Sequence, residues 1–155
     1  MIKNFKIEIL VICILDNCSS SLICASLLHD YGHFILDNPD KLVNQKEDGK
    51  HEDVAYRYLK KYFKKNVVEP IKIHVKAKRY LARNQKYYRI LSQASKVSLH
   101  LQGGVMNDEE SEKFKKEKFF DDAIKLRKFD EAAKKIGIKM KNINNYKSLL
   151  NSNLL

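Results

Sequence analysis

Glycine and proline are scarce in this chain, with five Gly and two Pro among 155 residues. A β-sandwich or barrel needs a turn signal about every 8–12 residues, which so few breakers cannot supply. Helices need far fewer, and most of the breakers present fall at or between the ends of periodic segments. Ser19, Ser20 and Ser21 offer caps for a helix running to about Leu36. Pro39 and Gly49 mark Asp37–Lys50 as a loop. A second helix is expected from His51 to about Phe63. Pro70 suits the first turn of a third helix, which runs to about Arg83. A fourth spans Gln85 to Gln102 and stops at Gly103–Gly104. Asn107–Asp108 opens an acidic segment, and Phe119–Ile136 is an amphipathic helix closed by Gly137. No strand pattern or internal repeat appears, so the expected class is all-α.

Hydrophobic residues at 44% and charged residues at 32% are those of a globular chain long enough for one core. One domain is expected over residues 19–140. An atypical or truncated N-terminal helix is expected at 1–18, and a weakly ordered tail at 141–155. Residues 1–15, MIKNFKIEILVICIL, have the basic start and apolar run of a secretory signal. Glu8 interrupts that run, Asp16 and Asn17 follow it, and no small-residue cleavage site is present. The run is also too short to span a bilayer, so it reads as a buried helix. Cys13, Cys18 and Cys24 form no CxxC pair and leave one thiol over in any disulfide scheme. This fits a reducing, cytoplasmic setting with no membrane partner. The net charge of +11 alone points to polyanions, but only five of the 30 basic residues are Arg. The basic excess reads as a solvated lysine surface, and no nucleic-acid partner is expected.

The histidines carry the chemistry. His29 and Asp30 sit in LLHDYGH at the end of an apolar run, and two such polar neighbours cannot both enter a core without partners. His33 follows one helical turn after His29. His51 opens the next helix as HED, His74 lies in IHVKAKRYL, and Asp130 lies in LRKFD. Imidazole and carboxylate ligands converging from separate helices suit a first-row transition metal, and a carboxylate can bridge two ions. A lone His is usually structural, and His100 reads that way. Four of the five His each stand beside a polar partner at a helix boundary, which favours the metal reading.

His29–Asp30, His51, His74 and Asp130 together resemble the pattern of the HD-domain superfamily. HVKAKRYL (74–81), YYRILSQASKVSLHLQGGVM (87–106) and DDAIKLRKFDEAAK (121–134) resemble, more narrowly, the HD-domain oxygenases of phosphonate breakdown. The resemblance covers roughly residues 20–136. It implies an HD-domain helical bundle with a metal site in the bundle core. It also implies two iron ions, O2 and a small anionic substrate, a phosphonate or phosphate. Those enzymes cleave the C–P bond of a hydroxylated aminoalkylphosphonate. The implied metal ligands are His29, Asp30, His51, His74 and Asp130. The implied substrate-binding residues are His33, Lys78, Ser95, Ser98, Gln102 and Arg127, with His33 and Lys78 catalytic. The spacing is compatible with these roles. Lys78 lies one turn beyond His74, Ser95, Ser98 and Gln102 share a helix face, and Arg127 precedes Asp130 by one turn. Plain helix packing for the serines, and surface salt bridges for Lys78 and Arg127, are the competing readings.

The chain departs from the family at one place. The resemblance calls for a further His ligand about two dozen residues before the doublet, with a Tyr and a Glu in the preceding loop. Residues 1–28 contain no His and no Tyr. The expected consequence is one complete ligand set, Asp30, His51 and His74, and one set, His29, Asp30 and Asp130, that is a ligand short. Two further readings stay open: a metal-dependent phosphohydrolase of the same superfamily, and a non-catalytic remnant or truncated chain.

Overall fold

The computed structural model describes residues 16–36, 50–136 and 146–155. Among the described residues all regular structure is helical, apart from an isolated antiparallel bridge between Phe63 and Leu154. The all-α class expected from the sequence is the class observed. The expected helix at 1–15, and nearly all of the Asp37–Lys50 loop, lie outside the described residues.

α1 (Ser20–Leu28) starts where Ser19 Oγ accepts the Leu22 amide at 3.2 Å. Seven of its nine residues are buried, which explains its apolar character all round. It does not run on to Leu36. The chain turns at His29–Tyr31 and re-enters helix as the short α2 (Gly32–Ile35). The break follows from a close approach. A Cβ on Gly32 would lie 1.9 Å from the backbone oxygen of His51, so only glycine lets α2 sit on α3 (His51–Leu59). α3 stops short of Phe63 because residues 62–64 pair elsewhere. Leu155 N donates to Tyr62 O and Lys64 N to Asn153 O, which docks the C-terminal segment carrying α9 (Lys147–Ser152).

α4 (Lys65–Leu81) is the axis of the bundle, with α1, α3, α7 (Asp108–Lys115) and α8 (Phe120–Ile136) packed on it. Pro70 lies inside α4 rather than in its first turn. The helix forgoes one backbone bond there, offset by the burial of Val67, Val68 and Ile71 on the same stretch. Leu22, Ala55, Leu126 and Phe129 complete this half of the core. Ile73, Ala77, Met106, Phe114 and Ala123 form the other half, where Phe114, Phe120 and Tyr80 meet edge to face or tilted.

The single helix expected over Gln85–Gln102 is two, α5 (Gln85–Ile90) and α6 (Gln93–Leu101). Leu91 turns extended and buries its side chain against Ala82 and Leu99. Ser92 then caps α6 by accepting the Ser95 amide. Gly103 and Gly104, at φ of +95° and +71°, end α6 in a left-handed turn with Gly104 N donating to Leu99 O. Arg79 holds that turn against α4. Its Nε donates to Gly104 O at 2.9 Å, and its terminal nitrogen reaches Gly103 O and Glu110 Oε1. Asn107 and Glu110 form a reciprocal capping box that starts α7. No described helix is long and apolar enough to cross a membrane.

Gly32→Ala should lower stability by about 1–3 kcal/mol, the usual cost of overpacking a close contact. Urea denaturation measures it. An unchanged midpoint would mean that α2 and α3 separate without cost.

Candidate metal centre

Four helices and one turn bring five polar groups to the middle of the bundle. His29 follows the last residue of α1 and Asp30 occupies the turn after it. His51 opens α3, His74 lies midway along α4 and Asp130 midway along α8. His29, His51, His74 and Asp130 are buried, and Asp30 is half-buried.

Two of the three buried imidazoles have Nδ1 engaged by a local carbonyl oxygen, and the third faces a carboxylate. His29 Nδ1 lies 2.8 Å from Ser26 O and His74 Nδ1 lies 2.6 Å from Ile71 O. A carbonyl oxygen only accepts, so in both rings Nδ1 carries the proton and Nε2 keeps its lone pair. His51 Nδ1 faces Glu52 Oε2 at 3.5 Å. All three rings therefore turn Nε2 inward. Outer partners of this kind fix tautomer and orientation in metal-binding histidines.

The inward atoms fall into two groups that share Asp30. Asp30, His51 and His74 form one, and His29, Asp30 and Asp130 form the other. Within each group the ligand atoms lie within 4.8 Å of one another. Donors about 2.1 Å from one ion, at angles of about 90° to 109°, stand about 3.0–3.4 Å apart. His51 Nε2 and His74 Nε2 are 3.2 Å apart, and His29 Nε2 is 3.3 Å from Asp30 Oδ1. Asp130 Oδ1 is slightly wider, at 3.6 Å from His29 Nε2. The donor set fits a first-row transition metal in both groups, with imidazole nitrogen and carboxylate oxygen in each.

Electrostatics favour neutral rings. Burial, and then the neighbouring histidines, push the His51 pKa down from 6.5 to about 2. Burial, and then His29, lower that of His74 to about 3, against the pull of its bond to Ile71. Neutral imidazole is the form that binds a metal.

The other expected site residues are placed unevenly around this centre. His33 is exposed and stacks on His51, with ring centroids 4.1 Å apart. Lys78 is buried, and its Nζ donates to Ser98 Oγ at 2.9 Å. Ser98 in turn donates to Ser95 O, and Ser92 Oγ donates to Ser95 Oγ. Lys78, Ser95 and Ser98 thus form one polar cluster, a turn of α4 away from His74. Gln102 follows the last residue of α6, where its buried Oε1 accepts no hydrogen bond. Arg127 lies among protein groups. Its guanidinium donates to Tyr87 Oη at 3.0 Å, to Glu131 Oε2 at 2.6 Å and to Asp130 Oδ2. Burial opposes its charge, but Asp130, Tyr87 and Glu131 outweigh that and raise its pKa. His100 is exposed on α6. Glu52, Tyr87 and Glu131 join the site in the structure without being expected from the sequence. Glu131 could have been found from its i, i+4 spacing to Arg127, whereas Tyr87 reaches Arg127 only through tertiary packing.

Fold and side chains together describe an all-α bundle built around a histidine–carboxylate cluster of metal-binding chemistry. Comparison with known proteins narrows this. No family model matches the chain. The chain is 44% identical over 126 residues to hydroxymethylphosphonate dioxygenase of Gimesia maris, which covers 80% of this chain and 63% of the relative. It is 38% identical over 115 residues to [1-hydroxy-2-(trimethylamino)ethyl]phosphonate dioxygenase (glycine-betaine-forming) of Leisingera caerulea, covering 74% and 59%. It is also 36% identical over 134 residues to protein L432 of Acanthamoeba polyphaga mimivirus, covering 84% and 61%. The chain thus spans about three fifths of the length of these curated relatives. The two named relatives support the resemblance to phosphonate dioxygenases.

In metal-free protein, His51 and His74 stay neutral when folded and take up protons on unfolding. Below pH 6.5 the unfolded chain then binds up to two more protons than the folded one. Stability should fall as pH drops from about 6.5 toward 3, with a slope of up to about 2.7 kcal/mol per pH unit. Urea denaturation at stepped pH measures this, and His74→Gln should about halve the slope. A flat profile would contradict the burial of neutral rings.

Proposed function

We propose that this chain is a metal-dependent oxygenase of the phosphonate dioxygenase type, which uses O2 to break the C–P bond of a small 1-hydroxyalkylphosphonate. The observation that carries this reading is the pair of ligand groups sharing Asp30, in a chain 44% identical to a hydroxymethylphosphonate dioxygenase. His51 and His74 with Asp30 would hold one iron ion, and His29 and Asp130 with Asp30 a second. Iron bound there would supply the electrons that O2 activation requires.

The chain's own residues bind and orient the substrate. Lys78 is buried one turn beyond His74, on the same face of α4. Its ammonium, with the hydroxyl of Ser98, suits one face of a phosphonate. Ser95 supports Ser98 through its backbone oxygen. His33, at the exposed edge of the cluster, is positioned to hold or move a proton at the substrate hydroxyl. Packing of α1, α3, α4 and α8 keeps bulk water from His29, His74 and Asp130.

A second reading is a metal-dependent phosphohydrolase. The Lys78–Ser98 cluster beside a metal centre would hold a phosphate ester equally well, and a metal could activate water there. The two readings separate on O2. Iron-loaded protein should consume O2 and release phosphate together from hydroxymethylphosphonate. Phosphate release from esters without O2 uptake would favour the hydrolase, and neither activity would favour a non-catalytic remnant.

Lys78→Met should lower kcat/KM between about tenfold and about 150-fold, the range for losing a hydrogen bond to a charged group. Metal content should not change. A kcat/KM within twofold of wild type would remove Lys78 from substrate binding.

A further inference from the structure

The Arg127 network assigns a role to two residues that the proposed reaction does not use. Arg127, Asp130 and Glu131 share one face of α8, at i, i+3 and i+4, and all three are buried. Three guanidinium nitrogens reach three different partners: Nε to Tyr87 Oη, one terminal nitrogen to Asp130 Oδ2, the other to Glu131 Oε2. The two oxygens of Asp130 are thereby divided. Oδ2 is held by Arg127, and Oδ1 faces His29 Nε2 at 3.6 Å.

This division depends on what holds Arg127 from the other side. An arginine beside one carboxylate tends to grip both of its oxygens in a bidentate pair. Glu131 pulls the far nitrogen away from Asp130, and Tyr87 fixes the plane through Nε. The same contacts turn Arg127 toward α5 and its own helix.

We propose that Glu131 and Tyr87 are positioning residues of the metal centre, which hold Arg127 so that it engages a single oxygen of Asp130 and leaves the other directed at His29. The inference rests on the metal reading above. It predicts that weakening the hold on Arg127 damages the His29–Asp30–Asp130 position and spares the Asp30–His51–His74 position, which Arg127 does not touch by hydrogen bond.

The test is Mn(II) titration of metal-free protein, followed by calorimetry and electron paramagnetic resonance, on wild type, Glu131→Gln, Glu131→Asp and Tyr87→Phe. Circular dichroism checks folding. Wild type should bind two ions with a coupled signal. Glu131→Gln should lose about 10–100-fold in affinity at one position, leaving an isolated-ion spectrum from the other. Glu131→Asp keeps the charge but shortens the reach, so positioning predicts an intermediate loss where simple charge predicts none. Tyr87→Phe changes no charge and removes one hydrogen bond, so a smaller loss at the same position should follow even if Glu131→Gln does not fold. Two-ion binding within twofold of wild type in Tyr87→Phe and Glu131→Asp overturns the inference and leaves the metal reading intact. Wild-type protein that takes up no metal overturns both.

Discussion

The centre of this protein depends on one local bond used twice. His29 and His74 each donate Nδ1–H to the carbonyl three residues earlier, one at the end of α1 and the other inside α4. Burying an imidazole is tolerable when it is neutral and its N–H has a partner. Here the partner belongs to the ring's own helix, so the bond needs no distant element to be in place. Its effect is directional, because each ring must then turn Nε2 toward the interior. Where four helices meet, those lone pairs converge with two carboxylates, and the low pKa values of His51 and His74 follow from the same burial.

α4 makes the convergence possible. It packs against α1, α3, α7 and α8 along its length, and it carries His74 and Lys78 one turn apart on one buried face. Arg79 staples the glycine turn after α6 to the same helix. The same helix α6 carries Ser98, which accepts from the Lys78 ammonium. The glycine turn and the polar cluster thus both tie α6 to α4. Gly32 acts similarly at the other end, because the absence of a side chain lets α2 rest on the first turn of α3 beside His51.

Much of the fold was legible from the scarcity of breakers and from helical periodicity. The errors have physical causes. A serine cap and a buried leucine split Gln85–Gln102, since a local side-chain bond and a core position can outweigh continuous helix propensity. Pro70 suits a helix start, but the apolar stripe Val67, Val68 and Ile71 draws α4 back beyond it. The helix through LLHDYGH is broken because Gly32 meets a backbone 19 residues away in sequence, which no local pattern encodes. The site shows the same division. The ligand-type residues are legible as polar groups in otherwise apolar helical segments, although His74 and Asp130 lie mid-helix and not at the boundaries the sequence suggests. The contact of Arg127 with Tyr87 emerges only from packing.

The sequence by itself determined which residues have metal-binding chemistry and that they lie on helices, because residue type and 3.6-residue periodicity are local properties. Only the tertiary structure decided that Asp30 lies between two ligand groups, that His51 meets His74 at 3.2 Å, and that Arg127 is held by a tyrosine forty residues earlier. Those relations depend on where α1, α3, α5 and α8 land around α4. That placement is set by the summed packing of many apolar side chains, and no single motif contains it.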